Sequence, residues 1–159
     1  MDRHFLFLLS SARSGGNSET LARRAAQAAG GQHRWIDLSS IALPGFVDTR
    51  PAPPPRPVGQ LAVIAGAMKA ADDIVFVAPI YWYGLPAPAK LLIDHWSGWL
   101  DVPGFGLIDW IKGKRLRRTG QWLGMDWRGA LHGVADAPGD IAQDSAALAR
   151  AATFLTLQG

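Results

Sequence analysis

The beginning of the chain places a short apolar run, a loop of small polar residues and a helix-forming stretch in that order, which strongly constrains the fold. Residues 5–9 form a continuous apolar run, typical of a buried parallel strand. Serines and glycines follow in residues 10–18, and an Ala-, Leu- and Arg-rich stretch extends from Ser18 to about Ala29. We predict a strand, a loop and a helix here, with Ser18 as the N-cap and Gly30 and Gly31 as the stop.

The rest of the chain continues this alternation of short apolar strands with longer helical stretches. In chain order, we predict strand 34–38, helix 58–71, strand 73–78, helix 88–100, strand 128–134 and helix 140–157. The prolines in residues 49–57 lack the N–H groups that a helix or central strand requires, so we predict a stiff surface connection. The alternation favours an α/β fold, in which helices cover both faces of a parallel sheet.

Length and composition bound the class of protein. A chain of 159 residues with 48% apolar and 18% charged residues is typical of a single globular domain, which we expect to span residues 1–159. The chain has no cysteine, which excludes disulfides and thiolate chemistry. The net charge is +3, and we interpret the basic run at 112–118 as a solvated turn. The first apolar run is too short to span a bilayer, so we expect no membrane partner. The scattered basic residues lead us to expect no nucleic-acid partner, and the lack of cysteine fits the cytoplasmic location that we expect.

The first loop has the composition of an anion site. Its sequence, SSARSGGNSET at residues 10–20, would place short hydroxyl and amide side chains beside the amides and positive dipole of a helix start. Gly15 and Gly16 let the backbone curl around a phosphate, and Arg13 adds a charged donor. The loop matches neither GxGxxG nor GxxxxGK[ST], and it contains no metal-binding pattern. A simple turn with an N-cap is an equally good interpretation of the loop alone.

The second loop is rich in aromatic residues. Its sequence, PIYWYGLPAPAK at residues 79–90, begins just beyond the buried strand at 73–78. Ligands of parallel α/β sheets bind outside the carboxyl ends of the strands. Three successive aromatics are costly to expose, so a flat apolar ligand or a partner subunit would cover them. Packing of these aromatics in the core or at a dimer contact is the alternative.

Taken together, SARSGGNSETLA and ADDIVFVAPIYWYGLPAPAKLLIDHW resemble the NAD(P)H-dependent FMN reductase and quinone reductase family of the flavodoxin-like superfamily. The resemblance implies a three-layer flavodoxin-like sandwich that binds FMN. By position in the family's first loop, it implies that the FMN phosphate is surrounded by Ser11, Arg13, Asn17, Ser18 and Thr20. It also implies that the ribityl chain and isoalloxazine are lined by Pro79, Ile80, Tyr81, Trp82, Tyr83 and Gly84.

The resemblance further implies an activity. Hydride would pass from NADH or NADPH through FMN to a quinone, a flavin or a similar small acceptor, in a homodimer or homotetramer. Such chemistry asks the protein mainly for positioning, so we nominate no catalytic side chain and no metal. An electron-carrier flavodoxin is the alternative, although such carriers are usually acidic. A protein without flavin is a third interpretation.

The sequence departs from the family pattern in one respect. Five parallel strands are implied, but only four can be placed, because residues 100–128 contain no buried apolar run. Either the protein has lost a central strand, or residues are absent from the sequence as printed. A lost central strand would expose two rows of backbone donors and acceptors, so we favour absent residues. A real deletion would weaken or abolish flavin binding.

Overall fold

The computed structural model describes residues 2–49, 52, 53, 55–99, 102, 129–135 and 137–156. The strands of this described part are β1 (His4–Leu9), β2 (Gln32–Asp37) and β3 (Asp73–Val77). Its α-helices are α1 (Asn17–Ala29), α2 (Gly59–Ala70), α3 (Ala87–Trp99) and α4 (Ser145–Phe154). Short 3₁₀ turns occur at Leu38–Ser40 and Asp140–Gln143. The predicted alternation of strands and helices is therefore confirmed through α3.

The described strands form a parallel sheet in the order β2-β1-β3, with β1 at its centre. Phe7 in the middle of β1 is opposite Trp35 on one side and Val75 on the other. Because all three strands run in the same direction, their carboxyl ends lie at one edge of the sheet. That edge is where an open α/β sheet places its ligands.

The side chains of β1 alternate between two hydrophobic layers. Leu6 and Leu8 are completely buried in a cluster with the apolar faces of α2 and α3. Phe5 and Phe7 point to the opposite face, where they join a cluster with α1 and α4. The period of two in a strand thus explains why β1 is apolar throughout and why helices cover both of its faces. This arrangement confirms the three-layer α/β fold.

The ends of α1 differ in part from the prediction. Gly16, not Ser18, is the N-cap, so the helix begins at Asn17. The predicted glycine stop is confirmed, because Gly30 and Gly31 adopt φ values of 65° and 78°. A side chain on Gly31 would also collide with the carbonyl of Arg3. The positive φ values and this close approach both require glycine.

The prediction of a strand at residues 128–134 was wrong for the residues that the structure describes, since 129–135 form no strand. Side chains of the C-terminal segment bind this backbone. The Val134 amide donates to Asp144 Oδ2 at 3.0 Å, and Arg150 Nη2 donates to the His132 carbonyl at 2.9 Å. The described residues of this apolar segment therefore form coil that side chains hold in place.

The last helix also begins later than predicted. Residues Asp140–Gln143 form a 3₁₀ turn, and α4 begins at Ser145. Asp144 is the N-cap, with its carboxylate accepting from the Ala147 amide at 2.9 Å. Hydrogen bonds from the amides of Val134 and Ala147 lower the pKa of Asp144. One carboxylate therefore both starts α4 and holds the preceding coil.

Some predictions fall on residues outside the described part of the chain. These include residues 103–128, where the sequence departs from the five-strand pattern, and the basic run within them. Residues 52, 53 and 55–57 of the proline-rich connection are described, and they contain no helix or strand, as predicted. Within the described residues, no helix has both the length and the apolar character needed to cross a membrane.

Candidate cofactor site

The structure joins the origins of the two predicted loops at one edge of the sheet. Ser10, the first residue after β1, is fully buried, and its amide donates to the Val77 carbonyl at 3.0 Å. Its hydroxyl donates to the same carbonyl at 3.4 Å. Val77 is the last residue of β3, so both loops leave the carboxyl edge of neighbouring strands. The two loops therefore begin next to each other.

The first loop leads into a helix whose N-cap residue, among the described contacts, supplies no side-chain hydrogen bond. Gly16 occupies the N-cap position without a side-chain hydrogen bond, and the Thr20 amide makes the first helical bond, to the Gly16 carbonyl at 3.0 Å. The three preceding helical amides, from Asn17, Ser18 and Glu19, have no acceptor within the helix. These amides and the helix dipole favour a negatively charged ligand.

The side chains of the loop differ in which hydrogen-bonding groups are already engaged. Ser11 Oγ accepts from the Arg13 amide at 3.2 Å, which leaves its hydroxyl hydrogen available for an anion. Arg13 is exposed. Thr20 Oγ1 donates to the Gly16 carbonyl at 3.2 Å and so supports the helix start. Backbone amides, a hydroxyl and a guanidinium make a donor set that suits a phosphate.

The side chain of Asn17 is already engaged. Its Nδ2 donates to the Ala137 carbonyl and its Oδ1 accepts from the Gly139 amide, both at 2.9 Å. Asn17 therefore ties the turn before Asp140–Gln143 to the start of α1. Both polar atoms of its side chain have partners, whereas its backbone amide has no acceptor within the helix. The sequence offered no signal for this contact, because its partners lie 120 and 122 residues away.

Glu19 takes a role that the sequence analysis did not assign. Its Oε2 accepts from the Gly15 amide at 2.8 Å, while its Oε1 accepts from Nε and Nη2 of Arg23 at 2.9 and 2.6 Å. The Arg23 and Gly15 hydrogen bonds lower the pKa of Glu19, so the carboxylate is ionised at neutral pH. A glutamate at the third helical position commonly reaches back in this way, which is the signal that could have revealed it.

The second loop forms a tight hairpin whose tip is aromatic. Tyr81 and Gly84 exchange backbone hydrogen bonds of 3.1 and 3.0 Å, and Trp82 and Tyr83 between them have φ values of 49° and 63°. Positive φ at both central residues is the geometry of a type I′ turn, which usually carries Asn-Gly. Trp82 and Tyr83 are 96% and 99% exposed. The interpretation of these two aromatics as core residues is therefore wrong for the protomer.

The residues on both sides of the hairpin tip are also apolar and exposed. Ile80, Tyr81 and Leu85 are about half or more exposed, at 64%, 48% and 47%. Pro79 is half-buried where the loop leaves β3, and Pro86 is buried just before α3. The prolines hold the ends of the loop, while its apolar side chains point to solvent. This arrangement suits the face of a flat apolar ligand or the surface of another protomer.

A parallel sheet between two helical layers, with a glycine-rich loop and an aromatic loop at one edge, defines a flavodoxin-like α/β protein. Residues 4–116 match the profile of a family described as NADPH-dependent FMN reductase. Because the match covers well over half of the chain, the protein belongs to the NADPH-dependent FMN reductase family. This membership confirms the prediction of an FMN-dependent oxidoreductase that uses a nicotinamide.

Individual proteins agree with this assignment. The Bacillus subtilis (strain 168) protein YwqN, named as an NAD(P)H-dependent FMN-containing oxidoreductase, is 30% identical, with 90% of this chain and 91% of YwqN aligned. The alignment spans 179 residues, more than the 159 of this chain, so YwqN has internal residues without a counterpart here. The gap agrees with the departure from the five-strand pattern, and a real deletion and omitted residues would both produce it.

Solved structures support the fold. The Trp repressor binding protein from Bacillus subtilis superposes with a TM-score of 0.70 at 23% identity, over 95% of this chain and 96% of that one. An NAD(P)H:quinone oxidoreductase from Methanothermobacter marburgensis gives a TM-score of 0.59 at 17% identity, over 100% of this chain and 98% of its own. Both solved proteins therefore share the fold of this protein.

We predict that Tyr83→Gly stabilises the flavin-free protein. Glycine adopts positive φ without steric strain, so the free energy of unfolding should rise by about 1 kcal/mol. Tyr81→Gly is the matched control, because Tyr81 lies outside the positive-φ positions and its replacement should lower stability. Urea unfolding of both variants measures the effect. A less stable Tyr83→Gly variant would show that the aromatic ring, rather than the backbone, dominates at this position.

Proposed function

We propose that this protein transfers hydride from NADH or NADPH to a quinone, a flavin or a similar small acceptor, with FMN bound between the two loops. The observation that carries the proposal is the juxtaposition of an uncapped helix start and an aromatic hairpin at one edge of the sheet. The first suits a phosphate and the second suits a flat ring. FMN contains both groups in one molecule.

The phosphate end of FMN would lie against the first loop. The amides of Asn17 and Ser18 and the hydroxyl of Ser11 would donate to the phosphate oxygens, and Arg13 would add its positive charge. Thr20 would hold the helix start in place through the hydrogen bond from its hydroxyl to the Gly16 carbonyl. Asn17 would act through its backbone amide and through the turn that its side chain holds.

The ring end of FMN would lie along the second loop. Pro79 and Gly84 bracket the hairpin, and the backbone of the hairpin would present fixed N–H and carbonyl groups to the ring edge. Its exposed apolar side chains, which are Ile80, Tyr81, Trp82 and Tyr83, would cover the ring and keep water from it.

The protein contributes position rather than acid–base chemistry in this proposal. When bound, FMN supplies the hydride-transfer chemistry. The two loops fix where the flavin lies relative to an incoming nicotinamide or acceptor, which is the main requirement of such a reaction. The family description names NADPH, and the name of YwqN allows either nicotinamide, so both remain in the proposal.

We also propose that the active form is a homodimer or a homotetramer. The support is the aromatic hairpin, since Trp82 and Tyr83 are almost completely exposed in the protomer and exposure of such a surface is costly. A second subunit would cover the hairpin and complete the flavin pocket. Sedimentation equilibrium of the flavin-loaded protein should give at least twice the protomer mass. A protomer mass at micromolar concentration would contradict this assembly.

Two measurements test the proposed activity in sequence. The purified protein, incubated with FMN and desalted, should retain the absorbance bands of oxidised flavin. It should then oxidise NADPH or NADH steadily when a quinone is supplied. Flavin retention without nicotinamide oxidation would instead indicate an electron carrier. Failure to retain flavin would indicate a protein that does not use the cofactor.

The combined variant Arg13→Ala and Asn17→Ala should bind FMN more weakly by roughly 2–4 kcal/mol, since it loses a charged donor and the support of the helix start. Quenching of flavin fluorescence during titration measures the dissociation constant. Arg24→Ala is the control, because it removes one exposed arginine from α1 outside the loop. Equal FMN affinity in the double variant and the control would remove these residues from the phosphate site.

A further inference from the structure

We propose that Glu19 is a positioning residue that holds the first loop open for the flavin phosphate before the flavin arrives. This inference rests on the proposed function. It assigns a specific task to a side chain that does not itself contact the phosphate in the proposal. The task depends on a chain of contacts that runs from the Gly15 amide, through Glu19 and Arg23, to the sheet.

The first contact restrains the backbone of Gly15. Gly15 has a φ of 65°, and a side chain placed there would meet nothing within 4 Å. Packing therefore does not restrain this residue, and its backbone could adopt many conformations. The hydrogen bond of 2.8 Å from its amide to Glu19 Oε2 is what restrains it. The carboxylate thereby fixes the shape of the loop just before the helix start.

The second contact fixes the carboxylate. Two nitrogens of Arg23 donate to Glu19 Oε1, and the Glu19 side chain is only 14% exposed. The guanidinium carbon of Arg23 lies 4.5 Å from the centroid of the Trp35 ring, a cation–π contact. Trp35 stacks on Phe7 with centroids 4.0 Å apart and planes 10° from parallel. The loop is thus connected to β1, the central strand of the described sheet.

The expected effect on binding follows from preorganisation. A loop with adjacent glycines loses conformational entropy when it closes around a ligand, and a preformed loop avoids that loss. The opposing effect is repulsion between the Glu19 carboxylate and a phosphate. Both carboxylate oxygens are engaged by donors, and Arg23 balances the charge, so preorganisation should exceed repulsion.

Fluorescence titrations with FMN and with riboflavin test the inference. Glu19→Ala should raise the FMN dissociation constant about tenfold and leave the riboflavin constant unchanged, because only FMN carries the phosphate. Glu19→Gln keeps an oxygen for the Gly15 amide, so it should restore part of the affinity. Arg23→Ala should weaken FMN binding to a smaller extent. Arg24→Ala, which removes the neighbouring exposed arginine of α1, should not change it.

Hydrogen–deuterium exchange of the flavin-free protein supplies a second readout. Residues 10–20 should exchange faster in Glu19→Ala than in the wild type, while thermal unfolding detects any general loss of stability. Unchanged or tighter FMN binding in Glu19→Ala would overturn the inference and leave the proposed function intact. An equal loss of FMN and riboflavin affinity would also overturn it. A wild-type protein that binds no FMN would overturn both.

Discussion

The parallel pairing of β1 with β2 and β3 is the constraint on which the rest of the structure depends. It places β1 at the centre of the described sheet and directs Leu6 and Leu8 to one helical layer and Phe5 and Phe7 to the other. The same pairing brings Ser10 to the end of β3, where its amide binds the Val77 carbonyl. Both loops of the proposed flavin site therefore begin from a position that the buried core determines.

Different interactions determine the shapes of the two loops. The first is small, polar and rich in glycine, so its shape depends on the hydrogen bond that the Gly15 amide donates to Glu19 and on the turn held by Asn17. The second has prolines at its ends and a backbone-paired hairpin, but it holds Trp82 and Tyr83 in positive-φ conformations that ordinary residues avoid. Such conformations concentrate at functional sites, which is consistent with the proposed contact to the flavin ring.

Side chains hold the backbone of residues 129–135 in the C-terminal part of the chain. Asp144 and Arg150 hold the coil at residues 129–135. Asn17 holds the turn at residues 137–139, between this coil and Asp140–Gln143. Helix α4 then packs its small buried residues, Ala147 and Ala151, in the same layer as Phe5 and Phe7. The described part of the sheet is thus covered on this face although the strand expected at 128–134 is not formed there.

The sequence by itself determined the elements through α3, the parallel α/β class, the two loops and the family. These follow from local patterns, since periodicity, glycines and prolines act over a few residues. Tertiary structure alone decided the strand order, the coil at 129–135, the delayed start of α4 and the partners of Asn17. Each of these depends on groups that are distant in sequence, as Asn17 and Gly139 are, and local propensity contains no information about such contacts.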